Sequence, residues 1–238
     1  MLGSTGCQPV VAGSPAGNSF ARISPGSVEI AHLGKLPRPA AGSLRSPEFA
    51  QCVRYSDALS WVMRIWTIGH STRTIDKFIS LLEGRGIKLL ADVRSLPGSK
   101  RYPQFNKETL ADSLGKAAIR YEHFPELGGR RKAKPDSKNT AWRNESFRGY
   151  ADYMETENFN KGVKRLLDLA AEAGPAAIMC AEAVWWRCHR SLVSDYLKVR
   201  GIEVMHILDA NKTEPHPYTS AARIVNGELS YAAENGLL

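Results

Sequence analysis

From residue 63 onward, short apolar runs alternate with amphipathic stretches, and this alternation constrains the fold more than any single motif. "RIWTI" (64–68), "IKLLADV" (87–93), "PAAIMCAE" (175–182) and "IEVMHIL" (202–208) are nearly continuous apolar segments, as strands covered on both faces require. "IRYEHFP" (119–125) reads as a further short strand. Between them, "TIDKFISLLEGRG" (74–86) sets Ile75, Phe78, Ile79 and Leu82 on one helical face, with Thr74 as N-cap and Gly84 or Gly86 as the stop. "NKETLADSLGKA" (106–117) predicts a helix opened by Asn106, residues 147–174 supply one or two helices, and "CHRSLVSDYLKVRG" (188–201) predicts another ending at Gly201. The polar stretch 128–145 reads as an excursion from the core. The expectation is a single α/β domain over 63–238, a largely parallel sheet flanked by helices in three Rossmann-like layers.

Residues 1–62 lack a sustained apolar period and are rich in Gly, Ala, Ser and Pro. Such a segment buries too little apolar surface to offset the cost of ordering it. It is expected to be a disordered or non-native extension, with translation beginning naturally at Met63. Cys7, Cys52, Cys180 and Cys188 are too few and too unevenly placed for a secreted disulfide framework, which points to a reducing, cytoplasmic setting. No apolar stretch approaches the ~18 residues of a membrane span, and no signal-peptide core opens the chain. No membrane partner is expected.

Open parallel sheets bind ligands beyond the carboxyl ends of their strands. Here those ends are His70 and Ser71, Asp92 through Ser95, Cys180 through Glu182, and Asp209, and polar, chemically capable residues sit at each of them. The densest window is "MCAEAVWWRCHRSL" (179–192). Cys188 and His189 fall where a helix starts, with Arg187 and Arg190 beside them, a setting that favours the thiolate. The competing view makes Cys180 a packed strand residue and Cys188 a helix-start filler, since free cysteine is often buried and inert. A metal is disfavoured, because adjacent Cys-His pairs seldom both reach one ion and neither C-x-x-C nor H-x-x-x-H occurs. No metal and no other cofactor is expected.

Asp92 and Arg94 lie two apart on one strand face, so they either bond to each other or address one ligand together. Beyond them come Lys100 and Arg101 with Tyr102 and Phe105 interleaved, then Arg130 and Arg131 in "LGGRRKAKPDSK" (127–138). Residues 94–143 hold 12 Lys or Arg against 5 Asp or Glu, so the positive charge is concentrated mid-chain and favours a local polyanion site. A solvated basic loop is the plain alternative.

"TIGHSTR", "DVRSLPGSKRYPQFN", "LGGRR", "FRGYADYM" and "CAEAVWWRCHRSLVSDYL", in this order, resemble an uncharacterised prokaryotic family, domain of unknown function 488. The resemblance covers Met63 to about Ser230, implies an α/β fold, and carries only a loose association with nucleic acid or DNA repair. The family's spacer between Cys-x-Glu and Cys-His-Arg usually contains Pro; Val184, Trp185 and Trp186 stand there in this chain.

Two functions are therefore expected as alternatives. The first is an enzyme acting on nucleic acid or a nucleotide. Cys180 or Cys188 is its nucleophile, His70 or His189 the proton carrier, with Asp92 and Glu182 in the same cleft; Ser71, Arg94, Lys100, Arg101, Arg130, Arg131 and Arg190 hold phosphate. The second is a non-catalytic nucleic-acid-binding module using the same charged edge.

Overall fold

A computed structural model describes residues 62–233, so the expectation for residues 1–61 lies outside the described part. Five parallel strands make most of one sheet: β1 (Arg64–Gly69), β2 (Leu89–Asp92), β3 (Arg120–His123), β4 (Ala176–Cys180) and β5 (Glu203–Asp209). β6 (Lys212–Pro215) adds antiparallel to β5, giving the order β3-β2-β4-β1-β5-β6.

The period of two along each strand sorts side chains into two cores. Ile65, Leu89, Ala91, Ala176, Ile178 and Cys180 pack with α3 (Glu145–Met154), α4 (Glu157–Ala173) and α5 (Arg190–Val199). Trp66, Ile68, Leu90, Ala177 and Met179 pack on the other face with α1 (Ile75–Glu83) and α2 (Lys107–Lys116). The three-layer α/β expectation therefore holds. No helix among the described residues is long and apolar enough to cross a membrane.

This arrangement places the site. The links from β1 to β2 and from β2 to β3 run over the α1/α2 face, whereas those from β3 to β4 and from β4 to β5 run over the other. The chain therefore leaves β4 on one side and its neighbours β1 and β2 on the other, which opens a crevice at the carboxyl end of β4.

Several local details differ from the expectation. Asn106 does not cap α2 with its side chain; its Oδ1 accepts from the Ser99 amide at 2.6 Å and ties the basic loop to the helix start. Helix α5 begins at Arg190, leaving Cys188 in extended backbone and His189 as N-cap. The chain also continues past β5 into β6 and a hairpin of β7 (Arg223–Val225) and β8 (Glu228–Ser230). Asn226 and Gly227 turn that hairpin with φ of 53° and 81°, the left-handed conformations an Asn-Gly pair supplies. The excursion after Gly128 is pinned to α3, because Asp152 accepts from the Lys134 amide at 2.8 Å, Asn139 Nδ2 at 2.9 Å and Ser137 Oγ at 2.5 Å.

Candidate functional site

The ends of β1 and β4 stay stitched beyond the strands. The amides of His70 and Ser71 donate to the carbonyls of Cys180 (3.0 Å) and Ala181 (2.9 Å). Gly69 makes this approach possible, since a Cβ there would stand 1.8 Å from the Glu182 carbonyl oxygen. Ser71 takes the turn at φ 50°, a conformation uncommon for a residue other than glycine.

On the α3/α4/α5 side of the crevice, the Cys180 and Cys188 sulfurs and a ring nitrogen of His189 all lie within 4.8 Å of one another. Cys188 Sγ is 3.6 Å from His189 Nδ1. The adjacency that argued against a shared centre is overcome locally: the extended Cys188 followed by the helical turn at His189 sends both side chains the same way. Both sulfurs are buried and free of disulfides.

Their acidities are driven apart. The Cys180 thiol donates to Cys188, and this bond together with burial pushes Cys180 well above the ordinary thiol value. Burial pushes Cys188 up as well, but the Cys180 hydrogen bond, His189 and the Arg190 charge outweigh it and hold Cys188 well below that value. Within the pair, Cys188 is therefore the sulfur favoured as thiolate and Cys180 the one favoured as thiol. Arg190 is 1% exposed; its Nη2 donates to the Glu182 carbonyl at 2.6 Å, while its Nε has no partner among the described residues. His189 Nε2 is likewise buried and unpartnered there.

On the β2 side Asp92 and Arg94 form the bonded pair. Arg94 Nε donates to Asp92 Oδ1 at 2.9 Å and Nη2 to Oδ2 at 2.5 Å; the Arg94 amide and the Tyr121 hydroxyl also donate to this carboxylate. Its oxygens are thereby committed to orienting Arg94. Burial, with the Asp92 charge next, pushes the Tyr121 hydroxyl well up. His70 stacks on Phe105 at 4.3 Å; its Nδ1 lies 2.9 Å from the Ser71 carbonyl and its Nε2 3.4 Å from Arg94 Nη1. Only the tautomer protonated at Nδ1 satisfies both contacts. Burial lowers its pKa to about 4, so the ring is neutral near pH 7 and faces Arg94 with a lone pair.

Of the basic residues, Lys100, Arg101 and Arg130 are exposed, and Lys100 and Arg130 pair with no carboxylate among the described residues. Arg101 lies over Tyr102 and Arg131 over Tyr153, at 5.4 and 3.8 Å. The "LGGRR" loop packs against the cluster's imidazole: the Arg130 amide donates to Ser95 Oγ at 3.3 Å, and a Cβ on Gly129 would meet His189 Nδ1 at 2.3 Å. Glu182 is exposed at the lip.

Sequence reasoning missed a buried polar chain beside this site. Thr67 Oγ1 bonds His206 Nδ1 (2.7 Å), His206 Nε2 bonds His216 Nδ1 (2.9 Å), and His216 Nε2 bonds Asp195 (3.0 Å). Trp185, from the loop joining the two cysteines, packs on His206 and donates to Glu214 at 2.5 Å. A histidine interrupting the apolar run "IEVMHIL" was the available signal.

Three soft donor atoms this close could grip a metal ion. The guanidinium of Arg190, which acts on both sulfurs, and that of Arg94, which acts on Cys180, oppose a cation there and suit an anion.

Fold and cleft together define a doubly wound α/β domain with a thiol, imidazole and guanidinium cluster where its crossovers diverge. The chain belongs to the family described as Domain of unknown function DUF488, which matches residues 74–197. That span includes both clustered cysteines and His189 and begins after His70 and Ser71. No curated protein and no solved structure matches the chain.

Proposed function

We propose that the chain is an enzyme acting on a nucleic acid or a nucleotide, with Cys188 as its nucleophile. The observation that carries this reading is the buried Cys188 sulfur held among Cys180, His189 and Arg190, favoured as a thiolate at the crevice where such folds take ligands. Cys180 hydrogen-bonds the thiolate, His189 is the adjacent group able to carry a proton, and Arg190 with the pre-oriented Arg94 offers positive charge to an anionic group. Lys100, Arg101 and Arg130, exposed on loops that join this edge, supply phosphate contacts outside the crevice. The reducing setting this chemistry needs is the cytoplasm.

The test is protection. Alkylation of Cys188 at neutral pH should run faster than that of a free thiol and should slow when single- or double-stranded oligonucleotide or a nucleotide is added. Oligonucleotide affinity should fall with salt, and Lys100→Ala with Arg130→Ala should shallow the log–log slope by about one for each phosphate left without its cation. Salt-independent affinity, or full-rate alkylation in the bound state, removes the reading; salt-dependent binding without protection favours the non-catalytic module instead.

A further inference from the structure

The two buried sulfurs of the crevice form a geometric pair. Cys180 is the last residue of β4, and Cys188 sits in extended backbone between a single 3-10 turn (Trp185–Arg187) and α5. Their sulfurs already lie within 4.8 Å, and a disulfide closes at ~2.05 Å, a gap that side-chain rotation with a small loop adjustment can cover. Seven residues separate the two, and of these Ala181, Glu182, Ala183, Trp186 and Arg187 are exposed, so the loop over the sulfurs faces solvent. Arg94 and Arg190 both bear on Cys180, and Arg190 also on Cys188.

We propose that Cys180 and Cys188 are a redox pair that closes to an intramolecular disulfide by exchange with a small, anionic, carboxylate-bearing disulfide. The inference rests on reading Cys188 as the nucleophile. In the first step the Cys188 thiolate forms a bond to one sulfur of the incoming disulfide, whose S–S bond breaks and releases the other half as a thiolate. In the second step Cys180 passes its proton to that released thiolate. Its sulfur then attacks Cys188, the mixed disulfide breaks, and the second half leaves as a thiolate. Two protein sulfurs are oxidised by two electrons, and the small disulfide is reduced to one thiol and one thiolate. The guanidiniums account for the choice of an anionic reagent, because they attract its carboxylates and stabilise the departing thiolates.

The experiment uses the full chain carrying Cys7→Ser and Cys52→Ser, so that only the crevice thiols report. The reduced protein is treated at neutral pH with oxidised glutathione, with cationic cystamine and with neutral hydroxyethyl disulfide, and followed by intact mass. The expected product of oxidised glutathione has lost two hydrogens, keeps no glutathione and shows no free thiol. Cys180→Ser should instead trap one glutathione on Cys188, and Cys188→Ser should react at least about tenfold more slowly, because its remaining thiol lies at the end of a buried strand and not beside the helix start. Salt should slow the anionic reagent and not the cationic one. Two independent adducts with no closure overturn the proposal, as do two inert thiols or an ion that survives dialysis and blocks both. Oligonucleotide binding by the same samples is read separately: closure without binding defeats only the nucleic-acid assignment, and protection without closure defeats only the redox pair.

Discussion

Trp185 lies flat on His206, with ring centroids 4.5 Å apart and planes 8° from parallel. Because Trp185 belongs to the loop between Cys180 and Cys188, the stack fastens that loop to β5, and the Nε1 bond to Glu214 fastens it to β6. The antiparallel edge of the sheet thus serves the crevice it borders. Trp185→Ala should cost about 3–5 kcal/mol in urea unfolding, as for a large buried aromatic. Trp185→Phe retains a stacking ring and loses the hydrogen bond, and should cost about 1 kcal/mol. Equal losses in the two variants would show that the bond to Glu214, and not the stack, anchors the loop.

Asp92 is fully buried and Arg94 is 6% exposed, so this pair is largely shielded from solvent screening. Removing one partner strands a buried charge. Asp92→Asn should therefore destabilise the fold by roughly 3–5 kcal/mol, whereas Tyr121→Phe, which removes one donor from the same carboxylate, should cost about 1 kcal/mol. Urea midpoints of both variants and of the double variant check this. The two losses should fail to add, because Tyr121 and Arg94 share one acceptor.

The apolar runs made the sheet and its flanking helices legible, because a strand buried on both faces has to be nearly continuous in apolar residues. "PAAIMCAE" and "IKLLADV" could scarcely be anything else. The cluster of Cys180, Cys188 and His189 was legible as a neighbourhood but not as a geometry: only the extended backbone at Cys188 shows that adjacent side chains can point together. The Asp195–His216–His206–Thr67 chain was illegible for a different reason. Its members are spread over four segments, and each alone looks like an isolated polar residue. The β7–β8 hairpin carried its Asn-Gly signal in plain view, but its strands are too short to show an alternating period.

Acid should weaken the fold through its histidines. Folded His70 titrates at about 4, chiefly because it is buried, with the Arg94 and Arg190 charges also lowering it against the Ser71 hydrogen bond and Asp92; the unfolded ring takes up its proton near 6.5. Below 6.5 the unfolded chain binds more protons than the native one, so this contribution is complete above pH 6.5 and is lost as pH falls toward 4. The loss is roughly 3.5 kcal/mol at most, from about 1.4 kcal/mol per pKa unit. Buried His206, lowered to about 2 by burial and the neighbouring His216 and Arg190, acts in the same direction. Urea unfolding from pH 7 to 4 should show a flatter dependence for His70→Asn than for the parent chain, since the carboxylates common to both cancel in the difference. Parallel profiles would remove His70 from the effect.

Gly129 tests whether the basic loop and the thiols act as one site. A Cβ added there would fall 2.3 Å from His189 Nδ1, the atom that faces Cys188. The ring also packs against Tyr150, with centroids 5.0 Å apart, and Tyr150 is itself fixed by its hydroxyl donating to the Leu127 carbonyl at 2.8 Å. His189 therefore has little room to retreat, and Gly129→Ala must displace either the loop or the imidazole. Either shift weakens the support that His189 gives the Cys188 thiolate, so the pH at which Cys188 alkylation is half-maximal should rise. Alanine is otherwise well tolerated in loops, so the loss of stability should be modest beside the change in reactivity. The check is the alkylation rate of Cys188 against pH in the parent and in Gly129→Ala, with unfolding midpoints measured alongside. An unchanged alkylation profile would mean that the "LGGRR" loop only packs on His189 and takes no part in setting the thiol's acidity.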